Sequence, residues 1–343
     1  NFRGIIMINE AISKLVDGQD LTRAEMVAVM DEIMGGEADS IQTAGLLTAL
    51  QIKGATIEEI TASAISMRNH ADVMDTNMDI TEIVGTGGDK SNSFNISTTS
   101  AFVAAAAGVK VAKHGNRAAS SKSGAADVLE KLGLNLMLEK EKSLEMLEKL
   151  NFCFLFAVKY HAAMKYVAPV RKTLGIRTIF NILGPLTNPA KANMQVLGVY
   201  SKELVNPMSR VLSNIGVKRG MTVFGMDGLD EISASDKTYV CEFRDGWFKE
   251  YEIEPEDFGY KKCDKSELEG GTPEENAEIT RNILNGTLRD GKRNAVCLNA
   301  GAAIYVAGKA DSLAEGIKIA EETIDSGKAI ERMNEIVAFS NQI

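Results

Sequence analysis

The sequence is poor in cysteine and histidine. Only Cys153, Cys241, Cys263 and Cys297 occur in 343 residues, scattered and with no C-x-x-C spacing. That pattern excludes a disulfide framework and a zinc site, and reads as reduced thiols in a cytoplasm. With His70, His114 and His161 as the whole histidine complement, a histidine-rich metal site is excluded too. No apolar run approaches the roughly 18 residues that a membrane span needs. The first apolar stretch is interrupted by Asn9 and Glu10, so a signal-peptide pattern is missing as well. Met7 is read as the natural start, and residues 1–6 are given no function. Positive charge is in deficit: 38 Lys and Arg stand against 47 Asp and Glu, for a net charge of −9. Nucleic acid needs clustered cations and is not expected as a partner. A phosphorylated substrate would have to be held by backbone amides, a few placed cations and a metal ion.

What is present suits a globular enzyme. A chain of this length with 45% hydrophobic residues exceeds one ordinary core and fits one large and one small domain. The first 75 or so residues predict short amphipathic helices. Thr22 with Glu25, and Thr56 with Glu59, fit capping boxes, while Gly35-Gly36 and Gly54 supply stops. Met26, Val29, Met30 and Ile33 recur at helical spacing and predict core packing, and any apolar face left over is a candidate dimer surface. From Ile80 the pattern alternates. Strands are expected at Ile80–Val84, Val109–Ala112, Phe152–Ala157, Gln195–Tyr200 and Met221–Phe224. Helices are expected at Thr98–Ala107 and Lys202–Asn214. This βαβ rhythm predicts a mainly parallel central sheet with helices on both faces. A hairpin pairs Tyr239–Glu242 with Trp247–Ile253 through Asp245-Gly246. Helices near Pro273–Leu284, Ala300–Val306, Leu313–Ile324 and Ala329–Ser340 close the chain. Residues 161–188 interrupt the rhythm with helical segments, including Ala162–Leu174, punctuated by Pro169, Pro185 and Pro189. The expectation is an α/β fold in which 7–78 and 161–188 form a small all-helical domain and 79–160 and 189–343 a large α/β domain.

Four segments carry chemistry. Val84-Gly85-Thr86-Gly87-Gly88-Asp89 ends a predicted strand, and its glycines let backbone amides approach a phosphate. Asn95-Ile96-Ser97-Thr98 opens the next helix, whose N-terminus suits an anion, although a hydroxyl there could merely cap the helix. Lys113–Ser121, followed by Ser123-Gly124-Ala125-Ala126-Asp127, again begins where a strand stops, the usual ligand position in parallel sheets. Asp227-Gly228-Leu229-Asp230-Glu231 follows another strand, and adjacent carboxylates there suit magnesium bridging to phosphates. Arg171 lies seven residues after Met164, on one face of the expected helix, among Lys165, Lys172 and Arg177.

Together these segments resemble the anthranilate phosphoribosyltransferase family. Gly85–Asp89, Asn95–Thr98, Lys113–Ser121, Met164–Arg171, Gly175–Leu186, Asp227–Glu231 and Leu298–Ala303 stand in that family's order and spacing, and the likeness runs from Met7 onward. It implies the fold shared with pyrimidine nucleoside phosphorylases, with a cleft between a helical and an α/β domain, and a homodimer joined through the helical domains. It implies transfer of phosphoribosyl from phosphoribosyl pyrophosphate (PRPP) to anthranilate in tryptophan biosynthesis. By position, Gly85, Gly88, Asp89, Ser93, Asn95, Ile96, Ser97, Thr98, Lys113, His114, Gly115, Asn116, Arg117, Ala118, Ala119, Ser120, Ser121 and Ala125 would hold PRPP. Gly85, Asn116 and Arg171 would hold anthranilate, and Ser97, Asp230 and Glu231 would hold Mg2+, two ions per site. His114 is the one candidate proton acceptor, ranked below a contact role. Around His161 the family has prolines where this chain has Val158 and Ala162, so an outer anthranilate site and substrate inhibition are not carried over.

Three rivals share features with this reading. A pyrimidine nucleoside phosphorylase would lack Asn-Arg after Lys-His and the Asp-Glu pair. A paralogue would use another aromatic amine. A catalytically dead regulator would be expected to lose Asp230, Glu231 or Arg171.

Overall fold

Five parallel strands and an antiparallel hairpin make one seven-stranded sheet in the computed structural model, which describes residues 7–118 and 122–342. The expected PRPP contacts of Ala119, Ser120 and Ser121 lie outside the described residues. Four helices come first: α1 (Ile8–Val16), α2 (Arg23–Gly35), α3 (Ser40–Lys53) and α4 (Ile57–Asn69). Both expected capping boxes form, at Thr22 with Glu25 and at Thr56 with Glu59. Glu59 does more than cap. It is fully buried, and its carboxylate accepts hydrogen bonds from the amides of Leu21 and Thr56 and from Lys53 Nζ, which ties α3 and α4 to the turn before α2.

The sheet is built by β1 (Thr81–Gly85), β2 (Val111–Gly115), β3 (Phe152–Phe156), β4 (Met194–Gly198), β5 (Arg219–Gly225), β6 (Thr238–Arg244) and β7 (Trp247–Ile253), in the order β3-β2-β1-β4-β5-β6-β7. The first five are parallel, and β6 and β7 add antiparallel. The hairpin turns at Asp245 (φ 46) and Gly246 (φ 83), as its sequence predicts. Between and after the strands come α5 (Ile96–Ala106), α6 (Ala125–Lys131), α7 (Lys140–Leu150), α8 (Ala157–Tyr160), α9 (Ala168–Leu174), α10 (Phe180–Leu183), α11 (Val205–Asn214), α12 (Pro273–Leu284), α13 (Gly291–Val306), α14 (Leu313–Asp325) and α15 (Lys328–Ser340).

Two apolar cores result. One fills the space between the sheet and α5, α13, α14 and α15. The other runs through α1–α4 and residues 167–186, then continues over α11 to the opposite sheet face at Leu197, Cys241 and Phe243. The helical segment thus packs on the N-terminal helices. Its Tyr166 ring lies so close to Gly36 that a Cβ there would stand 2.6 Å from it.

Several boundaries differ from expectation. The helix expected at Ala162–Leu174 is a 3-10 turn, Ala162–Tyr166, followed by α9. Pro169 has no amide to continue the first helix and starts a new one instead. Met164 and Arg171 therefore do not share one continuous helical face. The helix expected from Ala300 begins at Gly291, capped by Asp290, because its alanine-rich face is buried throughout. Strand β2 runs to Gly115 rather than stopping at Ala112. Lys113 and His114 are consequently strand residues, facing the interior of the fold.

Candidate active site

Strand order reverses between β1 and β4, and in open α/β sheets ligands bind at the carboxyl ends beside such a point. There the ends of β1, β4 and β5 are drawn together by close backbone approaches. The Thr86 amide donates to the Gly198 carbonyl at 2.9 Å. A Cβ on Gly198 would stand 1.6 Å from the Asp230 carbonyl, and one on Gly85 2.3 Å from Asp230 Oδ2. Both glycines let the segment 226–231 lie across the strand ends. Gly198 was not singled out from the sequence, although a glycine inside a strand signals a close approach.

Within that segment the acidic residues divide. Asp227 is structural: its carboxylate accepts from the hydroxyls of Ser233 and Ser235, and its carbonyl from Lys265. Asp230 and Glu231 turn into the cleft and are each only 8% exposed. Asp230 Oδ2 accepts from the Gly87 amide at 2.7 Å, and the Asp230 amide donates to Asp89 Oδ2 at 3.3 Å. Burial raises both carboxyls, and Asp89 adds repulsion; Asp230 is well above its ordinary value and Glu231 reaches about 8. One cation offsets them. Lys113 is buried, donates to the Ile83 carbonyl at 2.8 Å and to Ser97 Oγ at 3.1 Å, and is lowered by burial against the pull of Glu82, Glu231 and Asp230. Asp89 repels Asp230 and Glu231, and Lys113 is shared between those two and Glu82, so the carboxyls are short of counter-charge and hold protons that a divalent cation could replace. Among the described residues no three His, Cys, Asp or Glu side chains form a closed metal cage. An open carboxylate pair with a hydroxyl nearby is what magnesium shared with a phosphate requires.

Amide donors complete the cleft. Gly87 (φ 69) and Gly88 (φ 73) reverse the chain, and the amides of Gly88, Asp89 and Lys90 have no acceptor among the described residues. Amides left without acceptors beside such a turn are suited to an anion. Ser97 and Thr98 lie in the first turn of α5, and Ser97 also faces Glu231. Other expected contacts point elsewhere. The Asn95 side chain is occupied by Ser123 and Asn276. The Asn116 side chain accepts from the Arg117 amide. Arg117 folds onto α6, where it meets Asp127 and makes a two-pronged pair with Glu130. Asp127 also accepts from the amides of Ala118 and Gly124, tying both to the first turn of α6. Ser93, Ile96 and Gly115 serve the frame: Ser93 bridges to Glu269, Ile96 is core, and Gly115 lies against Ala125 and Phe154.

Beyond Lys113, strands β1 and β2 part company. They pair at Thr81 and Val111, after which Glu82 accepts from the His114 amide at 3.1 Å. Glu82 is wholly buried and raised to about 7, first by burial. Nothing in its local sequence marked it. His114 packs on His161, ring centroids 4.9 Å apart, and burial with the neighbouring imidazole depresses it to about 3. An imidazole that stays neutral to such acidity is a poor proton acceptor.

Arg171 projects from α9 over the Phe180 ring at 5.7 Å. It is half-buried, lowered by desolvation, and has no carboxylate or side-chain hydrogen-bond partner among the described residues. A cation in that condition has the capacity to pair with an anion. Six residues on, Arg177 donates to the Gly88 carbonyl at 2.6 Å.

Known proteins share this arrangement over their whole length. Residues 9–71 match the model of the glycosyl transferase family, helical bundle domain, and residues 77–330 that of the glycosyl transferase family, a/b domain. An anthranilate phosphoribosyltransferase of Methanobrevibacter smithii is 61% identical over 335 residues, covering 98% of this chain and 100% of its own. The crystal structure of the Thermus thermophilus anthranilate phosphoribosyltransferase superposes with a TM-score of 0.92 at 45% identity, covering 97% of this chain and 99% of that one. A Saccharomyces cerevisiae anthranilate phosphoribosyltransferase in complex with PRPP and Mg gives 0.90 at 30% identity, with 98% of each chain covered. With both family models and near full-length relatives in agreement, the chain belongs to the anthranilate phosphoribosyltransferase family.

Proposed function

We propose that this chain transfers the phosphoribosyl group of PRPP to the amine of anthranilate, releasing pyrophosphate, as a step of L-tryptophan biosynthesis. The observation that carries the reading is the division of charge in the cleft. Asp89 crowds Asp230 and Glu231, which lean on one buried lysine beside amides without acceptors among the described residues, while on the helical segment Arg171 has no carboxylate partner among them. Asp230, Glu231 and Ser97 would hold Mg2+, with two ions per site. Bound there, the metal supplies Lewis-acid neutralisation of the departing pyrophosphate. The amides of Gly88 and Asp89 and the N-terminal turn of α5 receive phosphate oxygens, and Lys113 braces Ser97 from below. Arg171 receives the acceptor's carboxylate and sets its amine towards the ribose carbon. As the carbon–oxygen bond to pyrophosphate breaks, the carbon gains oxocarbenium character, and the amine nitrogen forms the new bond. Its proton leaves to pyrophosphate or solvent, since His114 is held neutral and serves by contact.

Residues 7–78 and 161–188 make the acceptor-side unit in this reading, and 79–160 with 189–343 the donor-side unit. Ile41 and Ile52 of α3, Val16 of α1 and Met7 are large apolar residues left exposed, which supports a homodimer through the helical unit. Among the described residues the four cysteines are free thiols, in keeping with a reducing cytoplasm. Loss of anthranilate fluorescence tests the reaction: it should require both PRPP and Mg2+. Fluorescence unchanged on adding both would refute the function.

A further inference from the structure

Arg177 joins the two sides of the cleft. It follows α9 by way of Gly175 (φ 62), so it belongs to the same segment as Arg171. Its guanidinium lies 4.1 Å over the Tyr200 ring, and Nη2 donates to the Gly88 carbonyl at 2.6 Å. Tyr200 is itself fixed to the same loop, because its amide donates to Thr86 Oγ1 at 3.1 Å. Arg177 has no carboxylate partner among the described residues. Its hydrogen bond to a carbonyl is therefore not a by-product of an ion pair.

The consequence follows from peptide geometry. The Gly88 carbonyl and the Asp89 amide belong to one planar unit and point in opposite directions. A bond that fixes the carbonyl also aims the amide, and that amide has no acceptor of its own among the described residues. The loop does not enforce this setting by itself. Of the two torsions that turn this peptide, one belongs to Gly88, which has positive φ and no Cβ, and the other to Asp89, which is held through its carboxylate by the amides of Ser91 and Asp230. On the peptide's own atoms Arg177 makes the one hydrogen bond among the described residues.

We propose that Arg177 is a positioning residue: it sets the Gly88–Asp89 peptide to receive a phosphate and links that setting to the segment bearing Arg171. The proposal rests on the functional reading above, in which the loop holds PRPP and Arg171 holds anthranilate. Occupancy on one side then favours the arrangement needed on the other, and such coupling is reciprocal.

The test uses the full chain, with anthranilate binding followed by its own fluorescence, with and without PRPP and Mg2+, alongside steady-state kinetics. Arg177→Ala should raise KM for PRPP about tenfold and leave anthranilate affinity measured alone within about twofold. The strengthening of anthranilate binding by PRPP, present in the parent, should fall close to none. Arg177→Lys should recover part of the PRPP effect, since an ammonium can reach the carbonyl but cannot stack in the same way. Arg177 is exposed, so the melting temperature should hardly move; unchanged stability with lost coupling separates positioning from general support. An unchanged KM for PRPP, an equal loss of anthranilate affinity alone, or no coupling in the parent would each overturn the proposal. A parent that does not consume anthranilate with PRPP would instead overturn the functional reading.

Discussion

At the carboxyl ends of β1 and β5, Asp89 crowds Asp230 and Glu231, which share the buried Lys113 ammonium with Glu82, whereas on the helical segment Arg171 stands half-buried with no carboxylate among the described residues. Each side carries the charge that its proposed partner lacks. The donor side has carboxyls short of counter-charge, so it can take a polyphosphate only with a cation. The acceptor side is basic, and its half-buried cation, Arg171, would take one carboxylate. The difference extends to construction. The donor side is held by strand ends and glycines that permit contacts no other residue could make. The acceptor side is a short helix restarted at Pro169, packed on the N-terminal helices.

The largest expected effect tests the donor side. Asp230→Ala combined with Glu231→Ala should lower kcat/KM roughly a thousandfold or more, because charge stabilisation by a metal supplies several kcal/mol. Circular dichroism should show the fold retained, since removing two mutually repelling buried carboxylates relieves the apo protein. Near-normal turnover in the double variant would remove these residues from the metal site.

Next in size is Arg171→Ala. Truncating one partner of a partly desolvated ion pair costs about 2 kcal/mol or more, so KM for anthranilate should rise roughly thirtyfold at least. KM for PRPP should stay nearly constant, and Arg171→Lys should rescue only in part because a point charge lacks the planar fork. Loss of PRPP binding instead would make Arg171 a donor-side residue and erase the contrast.

Legibility in the sequence follows the same division. Local rules reached the capping boxes at Thr22 and Thr56, the Asp245-Gly246 hairpin and the glycine loop after β1, because each depends on residues within a few positions. They also singled out Asp230, Glu231 and Arg171; the fold leaves the first two buried at the strand ends and Arg171 half-buried without an ion-pair partner among the described residues. Hidden were features made by distant chain. Glu82 matters because β2 diverges from β1 and leaves the His114 amide for it to satisfy. Gly198 matters because Asp230 arrives on top of it. The extension of β2 to Gly115 and the break before α9 escaped periodicity for different reasons. Lys113 and His114 are polar yet buried by partners far along the chain, and Val167 with Pro169 divides a run whose apolar spacing alone reads as one helix.

A smaller effect sharpens the electrostatic half of the comparison. Asp230 and Glu231 are raised in the folded state above the roughly 4 expected of an unfolded carboxyl. Stability from that source is full below the unfolded value and is lost as pH climbs towards the folded one, about 8 for Glu231. The melting temperature of metal-free protein should therefore fall between about pH 5 and 8. Mg2+ competes with protons for the same oxygens, so the increment it adds should grow over that interval. Asp230→Asn with Glu231→Gln should abolish the metal increment; an increment that is flat with pH, or that survives the substitutions, would place the ion elsewhere.

The smallest expected effect concerns Arg117, which family resemblance assigns to the donor and geometry assigns to α6. Its guanidinium makes two hydrogen bonds with Glu130 and a third with Asp127, and Asp127 in turn ties the amides of Ala118 and Gly124 to the first turn of α6. An exposed pair is weak singly, but leaving α6 would break all three bonds together. Arg117→Ala should therefore change KM for PRPP by no more than about threefold, while Asp127→Ala, which frees both amides, should change it more. Glu130→Gln gives the decisive control: it weakens the hold on Arg117 without touching the guanidinium. If Arg117→Ala raised KM for PRPP about tenfold and Glu130→Gln lowered it, the guanidinium would leave α6 when PRPP binds. The donor side would then hold two cations rather than one, and its dependence on Mg2+ would have to be correspondingly weaker.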